Sequence, residues 1–276
     1  MKIIDGKAIA QELRAELKRK IEKLKRKPGL AVVIVGEDQA SQIYVRNKIK
    51  ACEELGVRSY SYELPCTASQ SQVEELLKSL ATDDNVDGIL LQMPLPKHLD
   101  AASAMACIPF KKDVDGFSAQ NLGMLMLHKE RVVACTPSGV MKLLEKSGID
   151  VAGKHAVVLG RSDTVGKPMA MLLLNANATV TICHSKTENL KEICSSADIL
   201  VSAIGKPKFV TEDMVKEGAV VIDVGINRDE NGKLCGDVDF ENVKEKVSHI
   251  TPVPGGVGPM TITMLMHNTY LAAIEE

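Results

Sequence analysis

A lysine, a tyrosine and a serine share one face of a predicted helix and form the first candidate for chemistry. Ser41, Tyr44 and Lys48 stand at positions i, i+3 and i+7 of SQIYVRNK, and such positions lie on one side of an α-helix. A helical lysine is most often a solvated surface charge. Val45 and Cys52 flank this face, however, and a lysine turned towards the protein interior could transfer protons near neutral pH.

Further polar residues follow predicted buried segments. Gln92 ends the apolar run 86–92 and precedes MPLP, where it serves either as a strand-end cap or as a site residue. In KKDVDGF, Asp113 and Asp115 either form a turn with Gly116 or supply a carboxylate that accepts two hydrogen bonds from an amino-pyrimidinone ring. The residues alone leave both choices open.

A glycine-containing turn joins an apolar strand to a helix in the second half of the chain. HAVVLG leads directly into GRSDTVGKP and then into a predicted helix. Glycine lets the backbone approach a ligand closely, and a helix N-terminus offers free N–H groups to a dinucleotide pyrophosphate. The spacing is not GxGxxG, so a tight turn without a ligand stays an alternative.

The residues after the next strand predict which dinucleotide binds. His184, Ser185 and Lys186 follow ATVTIC, at the position where an NAD site commonly has an acidic residue for the ribose hydroxyl. Together with Arg161 in the glycine turn, these groups complement a 2′-phosphate through charge-assisted hydrogen bonds. The sequence therefore predicts NADP rather than NAD, and equal affinity for both would contradict this.

These residues are positioned by apolar runs that alternate with helical patterns. Runs apolar on both faces are typical of parallel strands covered by helices on each side, and their alternation with helices predicts an α/β fold. The predicted strands are 30–35, 86–92, 155–160, 178–183, 197–204 and 219–226. The predicted helices are 5–27, 38–55, 69–81, 118–128, 137–147, 166–176 and 187–195.

Two seams divide the predicted elements into two domains. The first seam falls around 110–137, and the second is TPVPGGVGP at 251–259, which is too rich in Pro and Gly for regular structure. We expect residues 1–134, together with a C-terminal helix at 260–276, to form one domain. Residues 135–259 form the second, a Rossmann-type parallel-sheet domain that binds NADP.

Composition excludes several classes of protein. The 276 residues carry 34 Lys+Arg against 36 Asp+Glu, and 45% are hydrophobic, which argues against a disordered chain or a dedicated nucleic-acid binder. Seven scattered cysteines predict neither a disulfide framework nor a metal site, and suit a reducing cytoplasm. No signal peptide is evident, and the uncharged stretch 250–274 is too interrupted and polar to span a membrane. We therefore expect a soluble cytoplasmic protein.

Several motifs occur in register along the whole chain and resemble one known family. They are SQIYVRNK, GILLQMPLP, KDVDGF, CTPSG, GRSDTVGKP, CHSKT, DVGIN, GDVDF and ITPVPGGVGPMT. Together they resemble the bifunctional methylenetetrahydrofolate dehydrogenase/methenyltetrahydrofolate cyclohydrolase family. The resemblance implies that 5,10-methylenetetrahydrofolate gives a hydride to NADP⁺ and that water opens the resulting 5,10-methenyltetrahydrofolate to 10-formyltetrahydrofolate. It also implies that residues 1–134 with 260–276 bind folate.

The resemblance further implies roles for individual residues. Lys48 is similar to the family's catalytic lysine, with Tyr44 orienting the folate, Gln92 positioning Lys48 and Asp115 anchoring the pterin. The positions that match the family's NADP contacts are Gly160, Arg161, Ser162, Ser185 and Ile226. The candidate folate-binding positions are Ser41, Tyr44, Lys48, Gln92, Asp115, Pro254, Gly255 and Gly256.

Homodimers formed through the cofactor domains are a further family trait. Two alternatives stay open at this point: a chain that retains only one of the two activities, and a nucleotide-sensing scaffold that binds NADP without turnover. A scaffold would ignore folate, so thermal stabilisation by folate would separate it from an enzyme.

Overall fold

The structure is a computed structural model that describes residues 1–37 and 39–274, without the side chains of residues 39–41 and 43. The chain divides into two compact units. The Lys48 unit comprises Glu12–Cys135 and the residues from Ile262 onward, and the Gly160 unit comprises Met1–Gln11 and Thr136–Thr261. The division into a folate-binding part, 1–134 with 260–276, and a cofactor-binding part, 135–259, stays a prediction.

The strands are short and mostly parallel. They are β1 (Lys2–Ile3), β2 (Gly29–Val35), β3 (Arg58–Leu64), β4 (Gly88–Leu91), β5 (His155–Leu159), β6 (Thr179–Cys183), β7 (Ile199–Ser202), β8 (Val220–Asp223), β9 (Asn227–Arg228), β10 (Leu234–Cys235) and β11 (His249–Ile250).

The helices alternate with these strands. They are α1 (Gly6–Glu22), α2 (Gln39–Leu55), α3 (Gln70–Thr82), α4 (Ala101–Ala106), α5 (Ala119–Met126), α6 (Cys135–Lys146), α7 (Gly166–Asn175), α8 (Leu190–Ser195), α9 (Phe240–Val243) and α10 (Val257–Ala273). Among the described residues, no helix is both long enough and apolar enough to cross a membrane.

The Lys48 unit contains a three-stranded parallel sheet in the order β3-β2-β4. All seven residues of β2 are buried because alternate side chains enter two different cores. Leu30, Val32 and Ile34 pack with residues of α1, α2 and α10, whereas Ala31 and Val33 pack with residues of α3. This double burial explains the continuous apolar run and fixes α2, which carries Lys48, against the sheet.

The Gly160 unit contains a six-stranded sheet in the order β1-β11-β8-β7-β5-β6. All of its pairings are parallel, and a small antiparallel pair, β9 and β10, stands apart from it. Strand β5 lies between β6 and β7, so the chain crosses from one side of β5 to the other at this point. A ligand of an open α/β sheet binds at the carboxyl ends of the strands beside such a switch.

The predicted two-domain α/β fold is confirmed, but several elements are absent from the sequence-based prediction. Strand β3 reads RSYSYEL and lies at a sheet edge with only partial burial, so it lacks the continuous apolar run on which the strands were predicted. The predicted helix 5–27 is shorter in the structure, where α1 ends at Glu22.

Candidate active site

Lys48 and Gln92 meet in the structure, as the two predicted site positions require. The Nζ atom of Lys48 donates a hydrogen bond of 2.9 Å to Oε1 of Gln92. The Nε2 atom of Gln92 donates to the carbonyl oxygen of Met93 at 2.7 Å, and this bond orients the amide so that its oxygen faces the lysine. Gln92 directly follows β4, and its backbone N–H donates to Val33 of β2. The sheet therefore fixes the acceptor that holds the ammonium.

The helix α2 anchors Lys48 through apolar neighbours. Val45 and Cys52 are buried, while Lys48 is half-buried and Tyr44, one turn earlier, is 42% exposed. The ring of Tyr44 is thus available to a ligand on the same helix face as the lysine. Ser41 falls within α2, but its side chain lies outside the described residues.

The two aspartates of KKDVDGF have different tasks. Asp113 is 1% exposed and accepts hydrogen bonds from three backbone N–H groups and one side-chain amide. Its donors are Gly116 at 3.0 Å, Phe117 at 3.3 Å, Ser118 at 2.7 Å and Asn121 Nδ2 at 2.9 Å. Asp113 therefore forms the turn that leads into α5. The carboxylate of Asp115 accepts no hydrogen bond from the described residues.

Gly116 makes this turn possible. Its φ of +75° is favourable only for glycine, and a Cβ there would lie 2.6 Å from both the carbonyl carbon of Val133 and the nitrogen of Ala134. The turn that contains Asp115 and Gly116, called the Asp115 turn below, thus lies directly against the Val133–Ala134 backbone.

Burial and nearby charges set the protonation of Asp115. Burial raises its pKa from 3.8 to about 6, the positive charge of Lys48 lowers it, and the negative charge of Asp113 raises it. Asp115 and Lys48 form no ion pair within 4.0 Å, so the carboxylate and the ammonium interact at longer range. Burial also raises the pKa of the Cys135 thiol, and the charge of Asp115 adds to the increase. A carboxylate that lacks a partner beside a held lysine is suited to bind a polar heterocycle.

The glycine turn of the Gly160 unit is too tight for side chains. Gly160 has a φ of +127°, and a Cβ there would lie 2.3 Å from the carbonyl oxygen of Ala203; a Cβ on Gly166 would lie 2.3 Å from the Gly160 oxygen. The hydroxyl oxygen of Ser162 accepts hydrogen bonds from the N–H groups of Val165 and Gly166. These bonds fix the turn at the start of α7 and provide acceptors for the first N–H groups of the helix.

The predicted phosphate contacts lie at the carboxyl ends of β5 and β6. Arg161 and Ser185 are exposed, and the guanidinium of Arg161 makes no hydrogen bond with the described residues. His184 has a structural role in its turn, since its Nδ1 atom accepts the N–H of Lys186 at 3.1 Å. Arg161 and Lys186 are thus exposed positive groups that follow β5 and β6, respectively.

Sequence analysis missed two buried aspartates that shape the neighbouring loops. Asp237 is fully buried, and its carboxylate accepts five hydrogen bonds. The donors are Ser202 Oγ, the N–H groups of Ile204, Gly205 and Lys206, and Asn227 Nδ2. Asp223 accepts the N–H groups of Gly225, Asp237 and Val238. The two carboxylates together fix the loops after β7 and β8. Their signal is an acidic residue within or just after an apolar run, as in VVIDVG and GDVDF.

Ile226 lies in the loop that these aspartates hold, and its side chain is 52% exposed.

Pro254, Gly255 and Gly256 precede α10 in a turn of the same unit. The Gly255 oxygen accepts the N–H of Lys7 at 3.0 Å, and Gly255 has a φ of +105°. This turn therefore presents mainly backbone to its surroundings.

No three described His, Cys, Asp or Glu side chains come together in a group that could hold a metal ion. The Gly160 unit has the fold and the glycine turn of a dinucleotide-binding domain, and the Lys48 unit supplies groups for proton transfer. These features define an α/β enzyme that uses a nucleotide cofactor.

Comparison with known proteins identifies the family. The model of the tetrahydrofolate dehydrogenase/cyclohydrolase catalytic domain matches residues 4–115, and the model of the NAD(P)-binding domain of the same family matches residues 134–276. The chain belongs to the tetrahydrofolate dehydrogenase/cyclohydrolase family. The family that the motifs predict is thereby confirmed.

Relatives match the chain along nearly its full length. The bifunctional protein FolD of Campylobacter curvus is 59% identical over 276 residues, which cover 99% of this chain and 96% of the relative. A crystal structure of the bifunctional enzyme FolD from Campylobacter jejuni has a TM-score of 0.97 at 50% identity, and the match covers 99% of this chain and 98% of that one. The Trypanosoma brucei enzyme, complexed with NADP cofactor and an inhibitor, has a TM-score of 0.93 at 40% identity, covering 98% and 96% of the chains.

The raised pKa of Asp115 predicts that this carboxylate destabilises the folded protein when it is ionised. The folded state binds the proton more tightly than the unfolded chain, so stability falls as the pH rises from 3.8 through about 6. We expect Asp115→Asn to increase the free energy of unfolding by about 1–2 kcal/mol at pH 8, with the gain vanishing below pH 4.

Thermal unfolding of wild type and Asp115→Asn across this pH range tests the prediction. Asp223, whose pKa burial also raises to about 6, titrates in both proteins and cancels in the comparison. A variant that is less stable than wild type at pH 8 would contradict the assigned electrostatics.

Proposed function

We propose that Lys48, Gln92, Asp115 and Tyr44 are the residues with which this chain carries out the two reactions of its family. The chain is an enzyme with both activities: an NADP-dependent methylenetetrahydrofolate dehydrogenase and a methenyltetrahydrofolate cyclohydrolase. The predicted function, enzyme class and NADP cofactor are thereby confirmed, and the alternatives of a single activity and of a scaffold are set aside. The observation that carries the residue assignment is the hydrogen bond from Lys48 to Gln92 beside the unpartnered Asp115.

Asp115 and Tyr44 hold the folate in this proposal. The pterin ring of a folate carries an amino-pyrimidinone edge whose N–H groups match a carboxylate that has free lone pairs. Asp115 has such a carboxylate, whereas the carboxylate of Asp113 already accepts four hydrogen bonds from its own turn and from Asn121. The exposed ring of Tyr44 provides an apolar surface on which the flat substrate can stack.

Lys48 performs the proton transfers of the hydrolysis. The neutral amine form of Lys48 accepts a proton from the water that adds to the methenyl carbon, and the ammonium so formed gives this proton to N5 as the carbon–N5 bond breaks. The remaining proton of the added water leaves to solvent, and 10-formyltetrahydrofolate results. Gln92 keeps the Nζ atom in place through both transfers because its amide oxygen is fixed by the bond to Met93.

The Gly160 unit is shaped to receive NADP, which accepts the hydride of the methylene carbon when it is bound. Gly160 and Gly166 keep side chains out of the turn, so that the backbone can approach a pyrophosphate. We assign Arg161 and Ser185 to the 2′-phosphate, Ser162 to the pyrophosphate turn and Ile226 to an apolar contact. The family resemblance supports Pro254, Gly255 and Gly256 as further folate contacts.

We also propose a cytoplasmic homodimer that supplies one-carbon units for purine biosynthesis. The family resemblance supports the dimer, which sedimentation analysis of the purified chain would test. The seven free cysteines suit a reducing compartment, and 10-formyltetrahydrofolate is a formyl donor of the kind that purine assembly consumes.

The role of Lys48 predicts that Lys48→Met loses cyclohydrolase activity by roughly 10²–10⁴-fold, the usual contribution of a positioned acid–base group. The decay of methenyltetrahydrofolate absorbance measures this step without the cofactor. Lys50→Met is the matched control, because Lys50 is an exposed lysine on the same helix, and it should keep wild-type activity. Full cyclohydrolase activity in folded Lys48→Met would overturn the assignment.

The role of Arg161 predicts a selective loss of NADP affinity. We expect Arg161→Ala to raise the KM for NADP⁺ by roughly 10–100-fold and to leave the KM for NAD⁺ nearly unchanged, since only NADP has the 2′-phosphate. Lys167→Ala removes another exposed cation near this turn, one already paired with Asp163, and should change neither KM. An equal change for both cofactors would argue against a phosphate contact.

A further inference from the structure

An asparagine on the C-terminal helix ties together the two backbone segments that place Asp115. Asn268 lies on α10 and is 2% exposed. Its Nδ2 atom donates hydrogen bonds of 2.9 Å to the carbonyl oxygens of Val114 and Val133. The thiol of Cys135 donates to the same Val114 oxygen at 3.3 Å and lies 3.5 Å from Nδ2.

Both carbonyl groups belong to backbone that adjoins Asp115 or its neighbour Gly116. Val114 is the residue before Asp115, and the Val133 backbone lies against Gly116, the residue after it. The Asn268 amide therefore holds the Asp115 turn on both sides. These groups all belong to the Lys48 unit.

We propose that Asn268, assisted by Cys135, is a positioning residue that sets the place of the Asp115 carboxylate relative to Lys48 and thereby controls folate binding. The proposal rests on the assigned role of Asp115 in folate binding. In this proposal Asn268 does not touch the substrate. It acts through the Val114 carbonyl, because a shift of this peptide moves the carboxylate that follows it.

The fixed position matters because Asp115 has no hydrogen bond of its own among the described residues. Asp113 is held by four donors, whereas the Asp115 side chain is held only through its backbone. A displacement of about 1 Å in a binding group can cost up to 10²-fold in rate. A buried amide with two carbonyl acceptors is a rigid way to prevent such a displacement.

The test compares Asn268→Ala with Thr269→Val in the full-length enzyme. Thr269 is also buried on α10, but its hydroxyl donates to Leu265 within the helix and has no link to the Asp115 turn. We expect Asn268→Ala to raise the KM for methylenetetrahydrofolate by roughly tenfold or more, with the KM for NADP⁺ changed less than twofold. Thr269→Val should lower the Tm without changing either KM.

A double variant shows whether Asn268 acts through Asp115. If it does, Asn268→Ala adds no further increase of the folate KM in the Asp115→Asn background. Independent, additive increases would overturn the proposal, as would equal kinetics of Asn268→Ala and Thr269→Val well below their Tm values. An unchanged folate KM in Asp115→Asn alone would instead refute the assigned role of Asp115.

Two variants of Cys135 test the proposal if Asn268→Ala does not fold. Cys135→Ser retains a donor for the Val114 oxygen, whereas Cys135→Ala removes it. We expect a several-fold higher folate KM in Cys135→Ala that Cys135→Ser restores towards wild type. Equal folate KM values in the two variants and the wild type would contradict the proposal.

Discussion

In the Lys48 unit, Asp113 and Asp115 have different roles: Asp113 holds the backbone of a turn, and Asp115 keeps a carboxylate without a hydrogen bond. The rest of the unit depends on this difference. Two carboxylates two residues apart in a buried site repel each other, and hydrogen-bond donors stabilise the charged form of the carboxylate that accepts them. Three backbone N–H groups and the Asn121 amide satisfy Asp113, and this leaves Asp115 as the group whose charge is available. The glycine at 116, the start of α5 and the Asn268 amide all serve this arrangement. The cost is a carboxylate that is easier to protonate and a fold that its ionisation destabilises.

The Gly160 unit also uses buried carboxylates to hold its backbone. The carboxylate of the fully buried Asp237 accepts the N–H groups of Ile204, Gly205 and Lys206 in the loop after β7. Asp223 in turn holds the backbone of Asp237. The glycine turn at Gly160 lies beside Ala203, the residue before Ile204 in this loop. In each unit a buried acidic residue accepts several backbone N–H groups and thereby organises the neighbouring backbone.

The sequence predicts the α/β architecture because buried parallel strands such as β2 and β5 have apolar residues on both faces. It does not predict β3, since an edge strand needs apolar residues only where it meets the core. The helical spacing of Tyr44 and Lys48 predicts their shared face, and the motifs predict their chemistry. The choice between Asp113 and Asp115 could not be made from spacing alone, because it depends on which carboxylate the turn consumes. Asn268 lacks any local signal, since its partners are more than 100 residues away in sequence. The motif GDVDF marks Asp237 as an acidic residue, but it does not show which donors, up to 35 residues away, its carboxylate accepts.

One chain couples the oxidation of methylenetetrahydrofolate to the hydrolysis of its product. Mixing the purified protein with NADP⁺ and 5,10-methylenetetrahydrofolate, and following the NADPH and methenyltetrahydrofolate absorbances separately, measures this coupling. We expect NADPH to rise while little methenyltetrahydrofolate accumulates, because the second reaction removes it. Equal increases of NADPH and methenyltetrahydrofolate, or no NADPH at all, would contradict it.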